Sequence, residues 1–279
     1  MLVSYVIPVY NMEKYIRQCI NSVVFQKMPE GSYIEIVIVN DGSTDNSMEE
    51  IQTVFYDRFN KPETKSIIGY KILDFKINRG AGNALYEGFK IADGDYICFL
   101  SADDALIDTY KTYNQISHMI ENGSDLSYCN LYVSGISFEK PILIKSSFIF
   151  KFDYFNKFIL FNNYLTYFML NFKNPINSST FMIKKQAINH YGTWDQNLKA
   201  DCDGDILLRY SLYGAKITEM ECAKPAIYYR THEGQVSNNS MLMTETMLYN
   251  RIKYRNYVLS KNYFPLWLRL ITKLFVRVG

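Results

Sequence analysis

The chain has 279 residues, 48% of them hydrophobic, enough to bury one substantial core and more in keeping with one domain of two lobes than with two independent domains. Thirty Lys and Arg against 28 Asp and Glu leave a formal charge of +2, which excludes a global electrostatic pull toward nucleic acid. Five scattered Cys without a CxxC pair argue against a disulfide framework and point to a reduced, cytoplasmic setting. In chain order the sequence predicts a strand over 3–8, a helix over about 12–25, a strand over 34–39 and a helix after Thr44. A strand over 70–75, a helix over about 82–91 and a strand over 95–100 follow. Short apolar strands alternating with amphipathic segments predict an α/β chain with a mostly parallel sheet and crossover helices. The second half is less regular. An aromatic-rich segment spans 148–172, a strand 179–185, and the acidic run 201–205 opens a helix ending near Tyr213; strands follow at 216–220 and 226–230. From Met243 the chain reads as helical to its end. The first strand begins too near Met1 for a signal peptide. The longest uncharged stretch, 158–172, is too short and too rich in Asn for a spanning helix.

In a parallel sheet, ligands sit beyond the carboxyl ends of the strands. Pro8-Val9-Tyr10-Asn11, Asn40-Asp41-Gly42 and Ser101-Ala102-Asp103-Asp104 all fall at such ends. Each also has a plainer reading. Asn40, Asp41, Gly42 and Ser43 are good turn formers. Asp103 and Asp104 repel each other unless a hard divalent cation, shared with phosphate oxygens, offsets them; a solvated loop is the alternative. Gly80-Ala81-Gly82 suggests a dinucleotide fingerprint, but Leu85 stands where the third Gly belongs and the element follows the third strand rather than the first. What remains is a Gly-rich helix start suited to a diphosphate, with Arg79 as counter-charge. Trp194 and Asp195 suit an acceptor sugar, or equally a core ring and a capping carboxylate. His118 and His190 lack a second His at ligand spacing and read as packing or surface residues.

Taken in order, VIPVYN, VNDGSTDNS, NRGAG with Gly88, ADGDYICFLSADD, DCDGDILLRYSLYG and YYRTHEGQVS resemble the family 2 glycosyltransferases of the GT-A fold, over about residues 3–237. The resemblance implies a GT-A domain over 1–237, with a nucleotide-sugar half (1–110) and an acceptor half (111–237), followed by a helical tail (238–279). It places Pro8, Tyr10, Asn11, Asp41, Arg79, Asp103 and His232 around a nucleotide-sugar. It gives Mn²⁺ or Mg²⁺ to Asp103, Asp104 and His232, and makes Asp203 the catalytic base. Two departures stand out: Ser101 replaces the usual first acidic residue of the metal motif, and Cys202 replaces the Glu that often precedes the base. The implied activity is inverting transfer of a sugar from a nucleotide-sugar, UDP-linked, to a hydroxyl of a glycan or lipid-linked acceptor, as in bacterial surface-polysaccharide synthesis. A nucleotidyltransferase and a catalytically silent carbohydrate-binding protein are the competing classes. The first lacks its Gly-rich basic loop at 8–14, and the second has no use for Asp203.

The tail over 264–279 carries Arg269, Lys273 and Arg277 every four residues among Leu266, Trp267, Leu270, Ile271, Leu274, Phe275 and Val278. That pattern fits a basic amphipathic helix in a membrane interface, or a helix packed on the domain with its basic face in water.

Overall fold

A computed structural model describes residues 1–58, 66–135, 142–145, 163–172 and 174–275. The aromatic segment up to residue 162, and Arg277 and Val278 of the tail, lie outside the described residues. Strand β1 (Leu2–Val9) pairs in parallel with β2 (Tyr33–Asp41) and β4 (Tyr96–Phe99), and β2 pairs in parallel with β3 (Ile67–Phe75). The crossovers are helices α1 (Ile16–Val24), α2 (Ser47–Arg58) and α3 (Ala81–Ile91). This is the alternation that the sequence predicts. The β-branched residues of β1 and β2 are buried on both faces because helices cover both. Val3, Tyr5, Ile7 and Val9 pack with α1 in one core cluster, while Val6 faces Leu85 and Phe89 of α3 in the other. Gly88 permits the close approach on that second side: a Cβ there would lie 2.5 Å from Val6 Cγ1 and 2.9 Å from Val39 Cγ2.

The sheet continues past β4 in a less regular way. Among the described residues its order is β10-β6-β9-β4-β1-β2-β3, with β6 (Leu126–Cys129), β9 (Met182–Lys184) and β10 (Ile217–Met220). Strand β9 runs antiparallel to both β4 and β6, so β6 and β10 point the same way as β1. Their carboxyl ends therefore share one edge. Helix α4 (Lys111–Asn122), which the sequence reading did not anticipate, precedes β6 and ends on Gly123 in the left-handed region. A second sheet, β5-β11-β7-β8, lies beyond that edge, built from β5 (Ala105–Leu106), β7 (Leu131–Gly135), β8 (Ile142–Lys145) and β11 (Ile227–Arg230).

Helices α5 (Asn163–Leu170), α6 (Lys185–Tyr191), α7 (Cys202–Tyr213) and α8 (Ser240–Ser260) complete the second half. The tail is not one continuous helix: α8 ends at Ser260, and α9 (Leu266–Phe275) begins directly after Pro265, which cannot continue a preceding helix. No helix among the described residues is long and apolar enough to cross a membrane.

Candidate active site

The carboxylate that ends β2 has a structural task. Asp41 Oδ1 accepts from the Arg79 backbone N at 2.7 Å and Oδ2 from the Gly80 N at 2.9 Å, which fixes the loop leading into α3. Burial raises its pKa, and the two N–H bonds hold that rise back. Gly42, at φ 71°, lies so close to this loop that a Cβ would stand 2.6 Å from Asn78 N. On the other side Asn11, at φ 55°, donates its N–H to Ser43 Oγ and accepts from Thr44 N through Oδ1 at 2.8 Å. Tyr10 is exposed beside it, and Pro8 is half-buried. The Arg79 guanidinium lies 4.4 Å from the centre of the Phe75 ring. The ends of β1, β2 and β3 are thus tied into one rim.

Beyond β4 the two adjacent aspartates part company. Asp104, 1% exposed, accepts from Ser179 Oγ at 2.5 Å and from the Arg230 backbone N at 3.0 Å, one bond to each oxygen. Burial, then the charge of Asp103, pushes its pKa far up. Both Asp104 oxygens thus brace the scaffold from within. Asp103 differs. Its Oδ2 accepts from Gln235 Nε2 at 3.1 Å and lies 3.0 Å from His232 Nε2, whereas its buried Oδ1 has no partner among the described residues.

The residue that organises this corner was missed by the sequence reading. Buried Arg230 donates through Nε to the Asp103 carbonyl at 2.9 Å and through Nη2 to Gln18 Oε1 at 2.5 Å, and its guanidinium lies 4.5 Å from the Tyr15 ring. Gln235 braces the loop by donating to the Arg230 carbonyl at 2.5 Å. Both residues belong to the stretch YYRTHEGQVS, where a strand-end Arg two positions before His232 was the available signal. Gln18 sits in a helix far off in sequence and carried none.

Asp203 opens α7, half-buried, with Oδ2 accepting from Asn174 Nδ2 at 3.3 Å. Burial raises its pKa against hydrogen bonds from its own and Gly204's N–H. Asp201, at φ 46°, accepts from Asn250 Nδ2 at 2.9 Å; burial and the charge of Asp203 push it up to about 7. Asp205 is fully buried with Lys253 Nζ and the Tyr254 hydroxyl, each at 2.7 Å, and Arg209 at 3.4 Å. The segment between Trp194 and Asp203 reaches the rim through Gly82, whose N donates to the Leu198 carbonyl at 3.0 Å.

Trp194 does not offer the face expected for an acceptor sugar. It is 2% exposed, edge-on to Phe89 at 5.4 Å and tilted against Phe99 at 5.8 Å, because this turn closes the apolar side of α3. Asp195 pairs with Lys253 at 3.1 Å, and its pKa is lowered: burial pushes it up, but the Asn197 N–H and Lys253 outweigh that. Among the described residues, no group of three or more His, Cys, Asp or Glu forms a metal cage by itself.

The sequence profile described as Glycosyl transferase family 2 matches residues 4–192. An uncharacterized glycosyltransferase of Rickettsia typhi is 28% identical over 248 residues, 88% of this chain and 68% of its own length. The chain is also 34% identical, over 128 residues each, to the uncharacterized glycosyltransferase YibD of Escherichia coli and to the poly(ribitol-phosphate) beta-glucosyltransferase of Bacillus spizizenii. Those alignments span 33% and 18% of the two relatives' lengths. Among solved structures, S. aureus TarS 1-349 in complex with UDP-GlcNAc superposes with a TM-score of 0.70 at 20% identity, covering 98% of this chain and 70% of that one. The mannosyltransferase PcManGT of Pyrobaculum calidifontis, in complex with GDP-Man and Mn²⁺, gives 0.66 at 13% identity, covering 97% and 68%. These likenesses carry the GT-A fold, and the profile match over most of the chain carries the lineage: the protein belongs to glycosyl transferase family 2.

Proposed function

We propose that the chain is an inverting glycosyltransferase that moves a hexosyl or N-acetylhexosaminyl group from a UDP-sugar to a hydroxyl of a glycan or lipid-linked acceptor. The observation that carries this reading is Asp103 Oδ1, a buried carboxylate oxygen without a partner among the described residues, next to His232 Nε2 at the carboxyl edge of the sheet. The UDP-GlcNAc bound to TarS supports the donor class. The domain division follows the same lines: 1–110 for the donor, 111–237 for the acceptor, and 238–279 as a helical tail.

The residues fit a divalent cation. Asp103 supplies a hard oxygen and His232 a ring nitrogen, a set open enough to be completed by the donor's diphosphate oxygens. Mn²⁺ or Mg²⁺ held by Asp103 and His232 would neutralise the leaving diphosphate. Arg79 adds a fixed positive charge from the opposite rim. Tyr10, with Pro8 and Asn11 setting its loop, and Asp41 line the base and ribose, and Asp41 retains lone pairs beyond the two used on backbone N–H groups. Asp203 takes the proton from the acceptor hydroxyl as that oxygen attacks the anomeric carbon opposite the diphosphate. One displacement inverts the configuration. Its raised pKa brings the base nearer to working pH, where general-base catalysis is most effective.

The reading is tested by UDP release from a panel of UDP-sugars with and without Mn²⁺. In the variant Asp103→Ala, turnover and Mn²⁺-dependent UDP binding should disappear together while the circular dichroism spectrum stays unchanged. Undiminished Mn²⁺-dependent turnover in that variant overturns the metal assignment. The tail extends the proposal to a peripheral position on the inner face of the cell membrane, argued below from the faces of α9.

A further inference from the structure

Away from the donor rim, an open cleft of about 1370 Å³ runs between α4 and β10, with Asp108, His118, Glu121, Thr218, Glu221 and Cys222 in its walls. Behind the wall lies Lys111, the first residue of α4. Its side chain is fully buried, its Nζ has no hydrogen-bond partner among the described residues, and it stands 5.7 Å from the Tyr5 ring centre. The thiols of Cys98, Cys129 and Cys222 all feel its charge. A dry ammonium without an acceptor is costly, and a nearby anion relieves it.

The chain geometry supplies a candidate anion. Met220 pairs with Cys129 in the β10–β6 register, and Asn130 N donates to the Met220 carbonyl at 3.2 Å. The backbone then folds back over the end of β6, with Cys222 N donating to Asn130 Oδ1 at 2.9 Å. This brings the buried Cys129 thiol into hydrogen-bond contact with Cys222, which is partly exposed in the cleft. The proton stays on Cys129, whose pKa rises through its contact with Cys222 and through burial. Cys222 is lowered by the hydrogen bond from Cys129 and, against the cost of burial, by Lys111; Asp108 opposes the shift.

We propose that Cys222 is a nucleophilic thiol open to the cleft, and that it forms a reversible disulfide with Cys129 by exchange with a low-molecular-weight disulfide. The Cys222 thiolate attacks one sulfur of the small disulfide, its S–S bond breaks, and one small thiolate leaves. Cys129 then attacks Cys222 in the mixed disulfide, its proton passing through solvent to the thiolates released. The protein gains one S–S bond and loses two hydrogens, and the small disulfide is reduced to two thiols. The bond would tie the end of β6 to the segment that leads into β11 and Arg230.

The test treats the reduced full chain with oxidised glutathione and maps peptides by mass spectrometry without reduction. A Cys129–Cys222 cross-link that dithiothreitol reverses is expected. Cys129→Ser should trap glutathione on Cys222, and Cys222→Ser should leave the native chain unmodified. Lys111→Met should slow alkylation of Cys222 by iodoacetamide, because loss of the buried ammonium lowers the thiolate fraction. A stable glutathione adduct on Cys222 of the unaltered chain overturns the proposal, as does earlier modification of Cys19, Cys98 or Cys202. Should Lys111→Met not fold, the unaltered chain decides: Cys222 alkylation no faster than that of free glutathione at the same pH overturns it.

Discussion

Asp201, Asp203 and Asp205 sit at the start of α7, yet their surroundings separate them. Asp205 is neutralised by Lys253 and Arg209, Asp201 is held by Asn250, and Asp203 is met by neutral donors: its own and Gly204's N–H and the Asn174 amide. We expect Asp203→Asn to bind UDP-sugar with unchanged affinity while kcat falls by about 10²–10⁴, the usual worth of a general base. Isothermal titration beside initial rates checks this, and a collapse of donor affinity would reject the role. The raised pKa values set the pH dependence as well. Protonation silences a base, so kcat should fall as pH drops through the raised pKa of Asp203. Asp201 stays protonated up to about 7, so Asp201→Asn mimics its neutral form and should leave the acid limb of the kcat profile in place; Asn tolerates the left-handed backbone as Asp does.

The same pair predicts a stability trend. Asp201 has a folded-state value of about 7 against an ordinary 3.8, so the folded chain binds the extra proton. Its favourable contribution is complete below about pH 3.8 and is lost as pH rises to about 7. Thermal melts at several pH values should show a flatter curve across that window for Asp201→Asn. An unchanged slope would mean that Asp201 ionises as an ordinary carboxylate.

At the level of elements, the junction of α3 with the 195–198 turn is a tight point between the rim at the ends of β1 to β3 and Asp203. A Cβ on Gly82 would run into the carbonyls of Asp195 and Leu198. Gly82→Ala should therefore destabilise by about 1–3 kcal/mol, as overpacking does, and weaken donor binding through displaced Arg79 and Gly80. Urea denaturation with donor titration tests both. The helices and strands of the first hundred residues were legible because each strand is short, β-branched and followed by an amphipathic helix. Helix α4 was not read, although Tyr113, Ile116, Met119 and Ile120 recur at helical spacing and the Asn122-Gly123 stop was there to be read. The rim at the ends of β1 to β3 was visible because its residues lie in contiguous loops at strand ends. The Arg230 corner was not, because it joins α1, the β4 end and β11 across more than half of the chain, and Asp104 could be told from Asp103 only by its partners.

For the molecule as a whole, α9 packs on the domain and keeps an exposed apolar side. Leu268 and Thr272 are fully buried, so the helix packs on the domain; Leu266, Trp267, Leu270 and Leu274 are exposed on another side. Lys273 and Arg269 flank that apolar stripe, and no acidic residue occurs between Lys261 and the end of the sequence. An apolar ridge edged only by cations suits an anionic lipid surface, where each nearby cation adds about 1 kcal/mol. We expect co-sedimentation with anionic liposomes that salt weakens and that Leu270→Glu abolishes without a change in melting temperature. Leu268→Ala should do the reverse, costing about 2–5 kcal/mol of stability and leaving lipid binding intact. Equal sedimentation of Leu270→Glu and the unaltered chain would remove the membrane from the account.

The antiparallel strand β9 has a further consequence, for how the chain is made. It lies in the middle of the sheet, between β4 and β6, yet it is encoded at Met182–Lys184. As the chain leaves the ribosome, β1 to β4 can assemble early, but β4 then presents an open row of N–H and C=O groups until some eighty further residues have emerged. Nascent chains halted before Met182 should bind holdase chaperones and aggregate, and those halted after β10 should not.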